Sequence, residues 1–243
     1  MLRTTLLFAL LLTITSSLHA QKHVYDDLLI LYVDEEYEKC LWKADRYIEK
    51  DDTRRDPLPY LYMSMCSHEM SKLEKYTLDP EYRKVGRDAL KYAEKFRKKD
   101  KNLEFFNNYE DYWAELNTVA MDIGLALLDQ GEYSKAKRQF DHMAGYYPEN
   151  PGAWQMLALC QLKMKLARDA KESMMEFNKA YAAVPDIDRL PKDQKRLLRE
   201  GLIRYSEYLD SKGMVDSART TIALGAEHFD ENAEFRSLRE QLN

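Results

Sequence analysis

The sequence predicts an all-α protein in which about five helical hairpins stack into a right-handed α-solenoid that a C-terminal helix closes. Two observations predict this fold class. Apolar residues recur at helical spacing along the 243-residue chain, which is typical of helices with one buried face. One pattern of apolar and small residues also occurs twice in adjacent stretches, and such repetition is typical of stacked hairpins.

The repeated pattern is clearest in the middle of the chain. The first copy consists of Ala120, Ile123, Gly124, Leu127, Tyr133, Ala136, Phe140 and Pro148, and the second of Trp154, Leu157, Ala158, Gln161, Ala167, Ala170 and Met174. The step from Ala120 to Trp154 is about 34 residues, which is the period of tetratricopeptide repeats. At these positions the chain resembles that family. The resemblance implies a superhelix of hairpins that binds other molecules and does not itself carry a reaction site.

Small residues in this pattern predict where the two helices of a hairpin touch. Gly124 and Ala158 on the first helices face Ala136 and Ala170 on the second helices. Small side chains at these points let two helix axes approach to roughly 8–10 Å. The large residues on either side then seal the contact.

The first two hairpins are predicted near residues 23–50 and 57–99. The polar run at 51–56 separates them. Asp79 and Pro80 form a helix start, with the aspartate as N-cap and the proline at the first helical position. We therefore expect the second helix of the second hairpin to span 80–99, after an unusually long connection.

The third hairpin is predicted near residues 108–147, with a first helix that is longer than the repeat requires. Aromatic residues crowd the segment before and at its start, at Phe105, Phe106, Tyr109, Tyr112 and Trp113. Two interpretations stay open. The aromatic stripe packs on a neighbouring helix, which such spacing favours, or it forms a surface patch that recognises a partner or a glycan.

The remaining elements complete the solenoid. The fourth hairpin is predicted near 151–184 and the fifth near 191–229, where Pro191 starts a long helix and Gly213 stops it. A last helix at 233–242 has an apolar side and a charged side. A polar-backed end helix is what a solenoid needs to cover its exposed apolar edge.

The N-terminus reads as a secretory signal peptide at residues 1–20, cleaved before Gln21. A short basic start is followed by an apolar run and by small residues up to Ala20. The alternative is an uncleaved membrane anchor, but the apolar run is shorter than the ~20 residues that a spanning helix needs. The resemblance of this segment to Gram-negative export signals favours a periplasmic or secreted protein that is not membrane-spanning after cleavage.

Charge and cysteine content exclude several classes of site. The net charge of −5 argues against nucleic acid as a partner, because its phosphates require a basic face. Cys40, Cys66 and Cys160 show no C-x-x-C motif and no histidine at ligand spacing, so no metal site is predicted. The positions of Cys40 and Cys66 on neighbouring helices leave a disulfide open.

No catalytic constellation is recognisable. The sequence has no nucleophile with a base at workable spacing, no glycine-rich phosphate loop and no H-E-x-x-H motif. Its many carboxylates are expected on solvated helix faces, because a third of the chain is charged. We therefore predict a protein that is not an enzyme and that requires no cofactor.

The resemblance to tetratricopeptide repeats implies candidate binding residues. In that family the first helix of each hairpin lines a concave groove. The corresponding positions here, with Trp113 added for the aromatic segment, are Tyr25, Leu29, Tyr32, Leu61, Met65, Met121, Leu125, Gln155 and Leu159. An apolar lining suits an amphipathic helix or an extended apolar segment. The alternative is an inner face that packs on itself in a tight superhelix.

Two functions are compatible with these features. The leading interpretation is a non-catalytic interaction scaffold or adaptor that binds protein partners in a bacterial envelope complex. The alternative is a periplasmic carrier or chaperone-like binder of apolar or glycan ligands.

Overall fold

The computed structural model describes residues 24–243, and within this range it contains helices and their connections but no strand. The predicted signal peptide lies outside the described residues. The helices are α1 (Asp26–Val33), α2 (Tyr37–Glu49), α3 (Leu58–Lys72), α4 (Glu74–Thr77), α5 (Val85–Lys99), α6 (Glu110–Asp129), α7 (Tyr133–Tyr146), α8 (Pro151–Lys163), α9 (Ala167–Ala183), α10 (Lys192–Ser211), α11 (Val215–Ala223), α12 (Ala226–Phe229) and α13 (Ala233–Leu242).

The helices pair into hairpins that stack on one another. The hairpins are α1 with α2, α3 with α5, α6 with α7, α8 with α9, and α10 with α11, and α13 packs on α10 and α11. Successive hairpins touch through α2 and α3, α5 and α7, α7 and α8, and α8 and α10. The predicted all-α, tetratricopeptide-like solenoid is therefore confirmed.

Small residues lie where the sequence places them in the hairpins. Ala136 and Ala158 are fully buried and Ala170 is nearly so. Each therefore sits where a larger side chain would push neighbouring helices apart. The core along the middle of the solenoid is filled by large side chains such as Phe96, Trp113 and Phe140.

Four of the five hairpins turn in the same way. The second residue after the first helix has a positive φ, and the next amide donates to the carbonyl five residues back at 2.8–3.0 Å, which is the Schellman arrangement. These residues are Glu35, Gly131, Lys165 and Gly213. The second hairpin differs, because α3 ends in extended backbone at Leu73 and the chain continues into α4.

The second helix of the second hairpin begins at Val85 and not at residue 80, which corrects the sequence prediction. Asp79 does accept a bond from the amide of Glu81 at 2.9 Å. The following amides, however, bond to carbonyls three residues back, Tyr82 to Asp79 and Val85 to Tyr82. Such bonds close tight turns and do not propagate an α-helix.

None of the helices in residues 24–243 combines the length and the apolar character that crossing a bilayer requires.

Candidate functional site

The first helix of the fifth hairpin, α10, lies across the inner face of the solenoid. It contacts α8 along its length and reaches α6 beyond it. Asn117 donates to Asp193 at 2.7 Å, and Arg196 pairs with Asp122 at 2.8 Å. Nearer the helix ends Arg204 pairs with Asp129. Residue numbers increase in the same direction along both helices from one pair to the next, so α6 and α10 run parallel.

The contact between α8 and α10 is at backbone distance. A Cβ atom on Gly152 would lie 2.5 Å from the backbone nitrogen of Leu198. This distance is shorter than the contacts that Cβ atoms make in proteins. The absence of a side chain at Gly152 therefore sets the separation of the two helices.

The structure buries most of the residues that the sequence assigned to an open groove. Seven groove positions are at most 8% exposed, namely Tyr25, Leu61, Met65, Met121, Leu125, Gln155 and Leu159, and Trp113 of the aromatic segment is 2% exposed. Tyr32 is half-buried, and Leu29 is exposed. The expected apolar groove along the first helices is thus closed, because these side chains pack against the chain's own helices. This burial favours the alternative interpretation of the sequence, an inner face that packs on itself.

The aromatic segment also belongs to the core. The ring of Trp113 stacks on Phe106 at a centroid distance of 4.8 Å and on Phe96 at 5.5 Å. Its indole nitrogen donates to the carbonyl of Phe106 at 2.8 Å. The carboxylate of Asp100 holds the preceding turn by accepting from the amides of residues 104–106. Trp113 is therefore a packing residue here, and it is not available on the surface.

A cavity of about 460 Å³ opens between the second and third hairpins. Its lining is mainly apolar and comes from α3, α5, α6 and α7, with Val85, Leu90, Leu116, Val119, Ala120 and Ile123 among its residues. Val119 and Ile123 of α6 are 39% and 44% exposed, so apolar surface continues from the cavity to the outside. No local sequence pattern predicts this cavity.

The rim of the cavity is basic. Arg83, Lys84 and Arg87 line it at the start of α5 and are exposed. None of the three forms an ion pair with another residue of the described chain. In a protein of net negative charge, this rim is a local positive patch that attracts anionic groups.

A polar cluster lies beside the cavity, where α3 meets α6. Lys72 donates to Glu69 at 2.8 Å and pairs with Glu115 at 2.6 Å. His68, which also lines the cavity, is only 2% exposed, and its Nε2 faces Glu115 Oε1 at 3.3 Å. The Lys72 ammonium, and to a lesser extent His68, hold the pKa of Glu115 below its ordinary value. Burial and the charge of Lys72 lower the pKa of His68, so the imidazole is neutral at pH 7.

The three cysteines are buried free thiols. The disulfide between Cys40 and Cys66 that the sequence left open is not formed. The thiol of Cys40 contacts the carbonyl of Leu28 at 3.6 Å instead. A hydrogen bond with Cys40, together with burial, raises the pKa of the Cys66 thiol, which favours its protonated form.

Residues 127–190 match the sequence model of the tetratricopeptide repeat. The matched range covers α7, α8 and α9, with the end of α6 and the turn before α10. The match supports the tetratricopeptide repeat family, whose repeats generally mediate protein–protein interaction and whose members are generally non-catalytic adaptors. No curated protein and no solved structure matches the chain.

Because the residues predicted to line the groove are buried, a charge introduced there should destabilise the fold. Leu159 is 1% exposed, whereas Leu29 is 46% exposed. We expect Leu159→Glu to lower the free energy of unfolding by about 2–5 kcal/mol, because a buried leucine loses its packing and a carboxylate is buried in its place. Leu29→Glu, the matched control, should change it by less than about 0.5 kcal/mol. Urea denaturation followed by circular dichroism measures both. An equally small effect of both substitutions would show that the inner face is open.

Proposed function

We propose that the protein is a non-catalytic interaction scaffold that binds a segment of a partner protein in the bacterial cell envelope. The observation that carries this proposal is the tetratricopeptide repeat match over α7–α9, because repeats of this kind act through exposed helical surfaces. The absence of a recognisable catalytic motif in the sequence supports a binding function over an enzymatic one.

The binding surface that the geometry favours is the cavity between the second and third hairpins. Its apolar lining is open to the outside at Val119 and Ile123, and its rim carries three unpaired cations. Apolar surface bounded by polar groups is typical of protein interaction sites. We infer that the partner segment is apolar with acidic residues beside it, since carboxylates on the partner would pair with Arg83, Lys84 and Arg87.

Export supports the envelope assignment. A basic start, an apolar run and Ala20 at the cleavage position form the pattern of a secretory signal peptide. The partner would then be a protein of the periplasm or of the membranes that bound it.

The export proposal predicts the mature N-terminus. Protein recovered from the envelope fraction of a Gram-negative host should begin at Gln21, or at its cyclised form, as measured by intact mass and N-terminal sequencing. A mature chain that still begins at Met1 would contradict periplasmic localisation.

The binding proposal predicts which surface substitutions abolish partner capture. We expect the wild-type chain to retain a stoichiometric protein from envelope extracts. Ile123→Glu should abolish its retention because it places a charge on the apolar lip of the cavity, and Arg87→Glu should abolish it by repelling an acidic segment. Quantitative mass spectrometry of the bound fraction measures this. Met175→Glu is the matched control, because Met175 is exposed and apolar but lies on α9, away from the cavity.

Three outcomes would contradict the proposal in different ways. Retention of the same protein by all variants would place the interaction elsewhere on the surface. Loss of the protein from the Met175→Glu control would show that capture depends on general apolar exposure. Recovery of a small amphipathic ligand in place of a protein would favour the carrier function.

A further inference from the structure

The side chains of His68, Glu69 and Glu115 converge at the junction of α3 and α6. Their ligand atoms all lie within 4.8 Å of one another. Two helices hold them, because His68 and Glu69 are adjacent on α3 and Glu115 lies on α6. His68 also lines the cavity proposed for partner binding, whereas Glu69 and Glu115 do not.

The imidazole of His68 is aimed into this cluster without a hydrogen bond. Its Nε2 atom is buried and has no hydrogen-bond partner, although Glu115 Oε1 is 3.3 Å away. Buried polar atoms in folded proteins are nearly always paired, so an orphan nitrogen indicates a water or an ion that both groups share. We propose that His68, Glu69 and Glu115 form a binding site for a zinc ion.

The distances agree with tetrahedral coordination. Zinc lies about 2.0–2.1 Å from histidine nitrogen and carboxylate oxygen, so two of its tetrahedral ligands are roughly 3.3–3.4 Å apart. The separation of His68 Nε2 and Glu115 Oε1 is 3.3 Å. The carboxylate of Glu69 lies within 4.8 Å of both other ligand atoms, and its side chain is 23% exposed.

The chemistry of the donors favours zinc over calcium or magnesium. One neutral imidazole and two carboxylates give a ligand set that zinc accepts, whereas calcium and magnesium prefer oxygen ligands alone. Two carboxylate charges also neutralise a divalent ion. A fourth position would be filled by water.

Lys72 competes with the ion for the two carboxylates. Its ammonium bonds to both Glu69 and Glu115, so a cation already occupies the point between them. The lysine side chain is 36% exposed and has a flexible stem, so it can turn into solvent when zinc binds. Removal of Lys72 should therefore tighten binding.

A second cluster in the same protein provides an internal control. His142, Glu94 and Lys98 are the same three residue types on α7 and α5. There the histidine Nδ1 bonds directly to Glu94 at 2.8 Å, and only one carboxylate is present. This cluster is complete without an ion.

The experiment is calorimetric titration of the purified, chelator-treated full chain with zinc chloride. We expect one zinc per chain, a higher melting temperature with zinc than with calcium or magnesium, and the visible absorption of a tetrahedral ion when cobalt replaces zinc. Glu115→Gln and His68→Gln should each weaken binding by about tenfold or more, since each removes one of three ligands, while Lys72→Met should tighten it by about tenfold. His142→Gln should leave the affinity unchanged.

Other results would overturn the site. The proposal is wrong if the wild-type chain does not bind zinc. This holds even if Lys72→Met binds the ion, because the Lys72 ammonium would then occupy the site in the native protein. Unchanged affinity in Glu115→Gln would place any bound zinc elsewhere. Glu115 is half-exposed, so this variant stays informative if circular dichroism shows that His68→Gln fails to fold.

Discussion

The close approach of α8 and α10 at Gly152 determines the shape of the whole solenoid. With only hydrogen at this position, the backbone of α8 comes within van der Waals contact of Leu197 and Leu198. The first helix of the fifth hairpin, α10, then packs on α8 and also contacts α6. Side chains of the protein itself consequently cover most of the inner face, and a cavity of about 410 Å³ remains between α6, α8 and α10.

The cavity that we propose as the binding surface lies beside the second hairpin. This hairpin lacks the left-handed turn that ends the first helix in the other four, and α3 leads instead into an extended Leu73 and the inserted α4. Its second helix, α5, packs on α7. The irregular junction leaves a cavity between the hairpins and brings a histidine and two glutamates together beside it. The candidate sites therefore occur where the repeat is broken.

The sequence predicted the hairpins because their determinants are local. Helical spacing of apolar residues and small residues such as Ala136 and Ala170 act within one hairpin. The sequence predicts the recurrent turn only in part. Glycine at Gly131 and Gly213 indicates a left-handed backbone conformation, whereas Glu35 and Lys165 adopt that conformation without being glycine.

The sequence could not predict the closed inner face or the cavity, since both depend on how hairpins are rotated relative to one another. Gly152 follows a proline at a helix start, and nothing next to it in the chain shows that Leu198 will lie against it. The prediction of a binding groove requires an open superhelix. Small differences in the rotation between successive hairpins decide whether the superhelix is open or closed. His68 and Glu115 are likewise far apart in sequence, and only the packing of α3 near α6 joins them.

The most direct test of this account is a double-mutant cycle between Asn117 on α6 and Asp193 on α10. The amide of Asn117 donates to the buried carboxylate at 2.7 Å, and this bond forms only if α10 lies over the inner face. Unfolding free energies of Asn117→Ala, Asp193→Ala and the double variant should show a coupling of about 1 kcal/mol or more. Effects that add to within about 0.5 kcal/mol would show that the two residues do not touch, and that the inner face of the solenoid is open.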